Sequence, residues 1–123
     1  MSTRSHDYGR ASEDRAARYL QSKGYKILDR NYRCRMGEVD LIAEEGETLV
    51  FVEVKARRTN RFGSAKAAVD RRKQIRIAQA AQHYLKATGR WGKQARFDVV
   101  AITSSPDGDR IEVIRNAFSL PSG

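Results

Sequence analysis

The sequence predicts a single α/β domain in which a mixed sheet is flanked by helices, in the order α-β-β-β-α-β-β. Three observations carry this. Two segments repeat apolar residues at helical spacing, and five others read as extended runs. Glycines stand where both helical patterns stop, and a glycine sits in the short turn between two of the extended runs. The length, 123 residues, is that of one ordinary domain. One domain is therefore expected over residues 1–123, with an ordered core from about residue 8 to 118.

The elements follow in order. From Tyr8 to Lys23, Tyr8, Ala16, Ala17, Tyr19 and Leu20 fall on one arc at about 100° per residue. Arg10, Asp14, Arg18 and Gln21 fall on the other side, and Gly24 ends the helix. Glu13 projects at the edge of the apolar arc, between Leu20 and Ala17. "YKILDRNYR" reads as the first strand, "GEVDLIAEE" as the second and "ETLVFVEVKAR" as the third, with Gly46 turning the chain between the last two. A basic loop runs from Arg57 to Ala67. Val69 to Thr88 reads as the strongest helix, with a stripe of Ile75, Ile77, Ala78, Ala81, Tyr84 and Leu85, and Gly89 stops it. "ARFDVVAITS" is the fourth strand, "SPDGD" a turn, and "RIEVIRN" an edge strand that pairs back.

The third strand carries an anomaly. Strand side chains alternate between faces, so Leu49, Phe51, Glu53 and Lys55 share one face and Val50, Val52 and Val54 the other. In the second strand Glu38, Asp40 and Ile42 share a face, opposite Val39, Leu41 and Ala43. A two-residue loop at Gly46-Glu47 suits a II′ turn, pairs Glu45 with Thr48 and brings Asp40 opposite Glu53. A loop at Glu45-Gly46 keeps the two acids on one face, whereas a three-residue loop without a bulge separates them. Two carboxylates at cross-strand distance repel by about 4 kcal/mol at 4 Å and an effective dielectric of 20. Lys55 or a divalent cation can offset that. Two carboxylates with nearby carbonyls and water form the oxygen donor set that Mg²⁺ prefers, and Glu13 can add a third carboxylate. Against this stands a plainer arrangement in which each acid pairs with an arginine.

Lys and Arg number 24 against 15 Asp and Glu, a net charge of +9, which favours a polyanionic partner, most simply nucleic acid. Three basic groups are candidates for holding a phosphate backbone: Arg30, Arg33 and Arg35; Arg57, Arg58 and Arg61; and Arg71, Arg72, Lys73 and Arg76. No base-reading motif is present, so shape rather than sequence is the expected target. The single cysteine, Cys34, allows no intrachain disulfide and suits a reducing cytoplasm. With only two histidines, His6 and His83, a His- or Cys-rich zinc site is excluded. No apolar run approaches the roughly 18 residues of a membrane span. Asp98 is expected to pair with an arginine, and Trp91 to anchor a loop or the core.

Asp40, twelve residues, and then Glu53-Val54-Lys55 resembles the core signature of the PD-(D/E)XK nuclease superfamily. The stretch "GEVDLIAEEGETLVFVEVKARR", with "GRASEDRAARYLQSKGYKILDRNYR" before it and "VDRRKQIRIAQAAQHYL" and "RFDVVAI" after it, resembles more specifically the YraN family of small bacterial proteins. That family is distantly similar to archaeal Holliday junction resolvases. The resemblance covers about Gly9 to Phe118. It implies a restriction-endonuclease-like αβββαβ core, here with an extra C-terminal edge strand. It also implies an endonuclease dependent on Mg²⁺ or Mn²⁺ that acts on DNA, branched DNA included. Asp40 and Glu53 would hold the metal, the Val54 carbonyl would add a ligand, and Glu13 matches the helical acid of the resolvase-like branch. Lys55 would position or deprotonate the attacking water, or stabilise charge on the phosphate. The superfamily's proline is replaced by Val39. A fold can outlive its activity, so a catalytically inactive nucleic-acid-binding protein is the alternative. A homodimer would match the symmetry of a four-way junction.

Overall fold

The computed structural model describes residues 3–58 and 69–119, with 3–8 described by their helical backbone alone. The elements are α1 (Thr3–Ser22), β1 (Lys26–Cys34), β2 (Gly37–Glu45), β3 (Thr48–Arg57), α2 (Arg71–Ala87), β4 (Ala95–Ser105) and β5 (Gly108–Phe118). This is the expected order. Helix α1 starts at Thr3 rather than Tyr8, since no proline or glycine between Thr3 and Asp7 breaks it. Of the expected basic loop, Arg57 closes β3 and Arg58 follows it, while Arg61 lies outside the described residues.

Both helices end as their glycines dictate. At α1, Tyr25 N–H donates to Leu20 O at 3.0 Å and Gly24 N–H to Gln21 O at 3.1 Å. At α2, Arg90 N–H donates to Leu85 O at 2.8 Å and Gly89 N–H to Lys86 O at 3.3 Å. These paired bonds define Schellman caps. They need a left-handed residue, which Gly24 (φ 95°) and Gly89 (φ 69°) supply.

The strands form one sheet in the order β1-β2-β3-β4-β5. Only β3 and β4 pair in parallel, and α2 lies in the crossover that a parallel pair requires. Helix α2 covers one face, over Val39, Ile42, Leu49, Phe51, Phe97 and Val99. Helix α1 covers the other through Ala16, Ala17 and Leu20, over Leu41, Ala43, Val50, Val52, Val100 and Ile102. The α2 stripe differs from expectation at one end. Ile75 is 37% exposed, whereas Ala80 is buried, because the face that meets the sheet runs through Ile77, Ala80, Ala81 and Tyr84.

Glu45 pairs with Thr48, Ala43 with Val50 and Leu41 with Val52. Gly46 has φ 60° and Glu47 does not, as a II′ turn demands. The parity that places Asp40 and Glu53 together is therefore set by this turn. One assignment from strict alternation fails. Val39 packs in the α2 core with Ile42, not in the α1 core with Leu41 and Ala43. Beside it, β1 bends at Asn31 (φ 54°), between the pairs Arg30–Leu41 and Tyr32–Val39. A left-handed residue within a strand interrupts the pleat, and the outer part of the β1–β2 hairpin turns toward α2.

On β4, in register with Val52, fully buried Asp98 is closed by several donors. Arg96 Nε reaches Oδ1 at 2.9 Å and Nη2 reaches Oδ2 at 3.1 Å, Tyr25 Oη donates to Oδ2 at 3.2 Å, and Asn116 N–H donates to Oδ1 at 2.9 Å. Asp98 thus pairs with an arginine as expected. Trp91 is 59% exposed in the turn after α2 and anchors no core.

At Gly37 the main chain of the β1–β2 hairpin lies directly against that of α2. A Cβ on Gly37 would stand 2.3 Å from the Arg76 carbonyl oxygen. Replacing Gly37 with Ala is expected to destabilise the protein by about 1–3 kcal/mol, measured as the shift in urea midpoint. Gly9→Ala, where the new methyl meets nothing, is the control and should stabilise α1 by about 0.5–1 kcal/mol.

Candidate functional site

The site forms where the β2–β3 ladder opens. Its last regular pair is Leu41–Val52, and the same register carried one step further faces Asp40 toward Glu53. By the alternation of an antiparallel ladder, the Val54 amide would next bond Val39. It donates instead to Asp40 Oδ2 at 2.9 Å. A side-chain carboxylate has replaced a main-chain carbonyl, and the two acids lie within hydrogen-bonding reach of each other. The N–H and C=O of one strand residue point the same way. The Val54 carbonyl therefore faces the same opening.

Glu53 is 4% exposed, and Asp40 is half-buried. Burial, then the Glu53 charge, push the Asp40 carboxyl up to about 8, against the lowering effect of the Val54 N–H bond. Glu13 on α1 adds a smaller push in the same direction, so it lies near enough for its charge to be felt. Among the described residues no group of three or more His, Cys, Asp and Glu side chains converges closely enough to hold a metal ion. Glu13, Asp40 and Glu53 line one cavity without forming such a group.

Two lysines compensate Glu53. Lys73 Nζ, from the first turn of α2, lies 2.5 Å from Glu53 Oε2, and Lys55 Nζ lies 3.6 Å from the same oxygen. Burial, followed by the neighbouring Lys73, lowers the Lys55 pKa. The Lys73 pKa is raised. Burial acts against this rise, and the bond to Glu53 is the largest contribution to it. Placing Lys73 here works against the α2 dipole, because that helix has no acid in its first turn. Asp70 compensates in part as the N-cap, accepting Lys73 N–H at 2.9 Å.

The cavity above these groups measures about 920 Å³. Asp40, Glu53 and Val54 belong to its floor, and exposed Arg33, Arg35, Arg72 and Arg76 to its rim. Arg33 Nε pairs with Glu38 at 3.0 Å, so Glu38 holds an arginine. Arg30 pairs away from the cavity, with Asp14. Lys55 stands behind Glu53 and does not line the cavity. Arg57 and Arg58 follow it along the strand, also off the lining, and Arg61 lies outside the described residues. Cys34 is part of the wall.

Sequence reasoning assigned Lys73 to the outer basic surface and missed its position on Glu53. The signal was present in the spacing. Lys73 is four residues before Ile77 and so extends the buried stripe by one turn. Which acid it would meet depends on packing between distant elements.

Fold and site together define a class of protein: a mixed α/β domain whose central ladder opens onto paired carboxyls beneath an arginine rim. Residues 12–102 match the family described as "Uncharacterised protein family UPF0102", and the chain belongs to that family. A UPF0102 protein of Geobacter sulfurreducens is 54% identical over 113 residues, covering 91% of this chain and 88% of its own. One from Syntrophus aciditrophicus is 49% identical over 115 residues, covering 94% and 91%. One from Nitrosococcus oceani is 49% identical over 117 residues, covering 94% of each.

The raised Asp40 pKa predicts a pH dependence. Its folded value, about 8, exceeds the ordinary 3.8. The stability it contributes is therefore complete below the ordinary value and is lost as pH rises through about 8. In EDTA, the Tm of the wild-type protein should fall between about pH 5 and about pH 8. Asp40→Asn should flatten that slope. Thermal melts followed by circular dichroism check this, and equal slopes would contradict it.

Proposed function

We propose that this protein is a metal-dependent endonuclease that hydrolyses DNA phosphodiester bonds, with branched or structured DNA as its substrate class. The observation that carries the reading is the pair of carboxyls, Asp40 and Glu53, that share the floor of an arginine-rimmed cavity. Ionising both acids here is costly, which is why Asp40 holds its proton to higher pH, and a divalent cation would offset that cost.

The donor set fits a hard cation. Asp40 and Glu53 would hold Mg²⁺ or Mn²⁺, the Val54 carbonyl would face it, and Glu13 would bind through water. A bound metal supplies an acidified water and neutralises charge developing on the phosphate. The chain's own groups do the rest. Asp40 is fixed in place by the Val54 amide. Lys55 lies 3.6 Å from Glu53 Oε2 and off the cavity lining, so it would reach the attacking water by turning past that carboxylate, or support the site through its charge on Glu53. Arg33, Arg35, Arg72 and Arg76 would grip phosphates on either side without reading bases, so backbone shape selects the substrate.

A second reading is a nucleic-acid-binding protein that has kept the fold and lost the chemistry. It is favoured by the ion pair of Lys73 with Glu53, which already neutralises one acid of the pair.

Linear, flap and four-way DNAs incubated with Mg²⁺ or Mn²⁺ separate the two. The expected outcome is cleavage of at least one structured substrate. Asp40→Asn and Glu53→Gln should each lower the rate by at least about 10³-fold, a loss of about 4 kcal/mol of transition-state stabilisation. Lys55→Met should abolish cleavage and spare binding. Binding without cleavage of any substrate would select the second reading. In the same assay, log Kd should rise with log salt by about 0.9 per phosphate held on duplex DNA, and removing a rim arginine should lower that slope. A flat salt response would remove nucleic acid as the partner.

A further inference from the structure

We propose that Lys73 is a built-in counter-cation of the carboxylate pair. A divalent ion must displace it, and the displaced ammonium then engages a phosphate of the bound nucleic acid. One side chain would thereby couple metal loading to backbone binding. This rests on the metal-dependent reading of the site given above.

The geometry singles out Lys73 over Lys55. Both ammonium groups address Glu53 Oε2, at 2.5 Å and 3.6 Å. Lys55 belongs to β3, is 26% exposed and does not line the cavity. Lys73 lines the cavity and is 43% exposed, so a path to solvent exists along its own stem. Its main chain does not have to move, because Asp70 holds its amide at 2.9 Å. The four-carbon stem alone supplies the swing.

The electrostatics require the exchange. Glu53 is buried and carries two lysines within ion-pair distance. A third cation bearing two charges would be repelled by each ammonium about twice as strongly as they repel each other. The ion pair that can open toward the cavity is the one made by Lys73. Once displaced, Lys73 stands in the first helical turn beside Arg72, with the nearby N-cap acid, Asp70, already bonded to the Lys73 amide. Cations are disfavoured there, so an incoming phosphate becomes the natural partner. Reciprocity follows: metal strengthens nucleic-acid binding and nucleic acid strengthens metal binding by the same factor.

The experiment is Mn²⁺ binding to the full chain without nucleic acid, read by electron paramagnetic resonance, for wild type, Lys73→Met and Lys73→Gln. Both variants should bind Mn²⁺ at least about tenfold more tightly than wild type, since the competing cation is gone. A short duplex DNA should tighten Mn²⁺ binding in wild type and do so much less in either variant. A merely structural lysine would give the opposite sign, with weaker binding as the site loosens. Should Lys73→Met fail to fold, Lys73→Gln keeps a polar group against Glu53 and carries the test. Wild-type binding of Mn²⁺ with unchanged or weaker affinity in the variants would overturn the role of Lys73 and leave the metal reading standing. Absence of Mn²⁺ binding in every protein would overturn both.

Discussion

The bond from the Val54 amide to Asp40 is the constraint on which the site depends. A ladder that continued one step further would spend that amide on the main chain of β2 and leave Asp40 free to rotate. Because the carboxyl takes the donor, β2 parts from β3 just where its acid is held, while keeping its pairing with β1. The consequences spread outward through short contacts. Val39 turns into the α2 core, β1 follows by bending at Asn31, and the hairpin comes to rest with Gly37 against the carbonyl of Arg76. The gap between the departing β2 and the straight β3 is the floor of the cavity. A binding site here is a controlled failure of strand pairing, stabilised by one hydrogen bond from a main-chain amide to a side-chain carboxyl.

The same opening creates an electrostatic problem that the rest of the fold must solve. Asp40 and Glu53 are brought together where water is scarce, so ionising both is unfavourable. Two responses are visible. Asp40 holds its proton to higher pH, and Glu53 recruits cations from two elements far apart in sequence. The second response determines where α2 can begin. Asp70 caps the helix so that Lys73 falls in its first turn, over the end of β3, and the unfavourable interaction with the dipole is tolerated because a buried carboxylate answers it. Lys55 and Lys73 then diverge, one lowered and the other raised, although both address the same oxygen.

Much of this is legible in the sequence. The helix stops at Gly24 and Gly89, the II′ turn at Gly46, and hence the common face of Asp40 and Glu53, follow from local rules that leave little room for tertiary context. The failures have a shared cause. Val39 was placed by strict alternation, and alternation ends where a left-handed Asn31 lies in a neighbouring strand. Ile75 was placed by its apolar character, whereas the sheet contacts the adjacent face of the helix. Lys73 was read as surface charge because nothing within its own helix shows that an acid from β3 lies beneath it. Arg57 and Arg58, also expected to hold phosphate, follow Lys55 along β3 and stand off the lining of the cavity, which opens toward the β1–β2 hairpin and α2. Local sequence determines the conformation of a strand or turn. Which charge meets which across the layers is decided by packing.

The two aspartates of the inner strands show what separates a site from a structural network. Each accepts a main-chain amide from a neighbouring strand, Asp40 from Val54 and Asp98 from Asn116, at 2.9 Å in both cases. Each lies near an edge-strand asparagine with φ 54°. The local device is the same, and the difference is what completes it. Asp98 is closed by Nε and Nη2 of an arginine on its own strand, a rigid guanidinium that cannot lose its proton and is 16% exposed. Tyr25 occupies part of what remains. Asp40 faces a second carboxyl instead, and the cation nearest that pair is a lysine with a flexible stem in a cavity wall. Arginine in the first place makes a permanent joint, and lysine in the second makes an exchangeable one. A carboxylate buried with an irreplaceable partner holds strands together. The same carboxylate buried with a replaceable one stays available to a ligand that brings more charge.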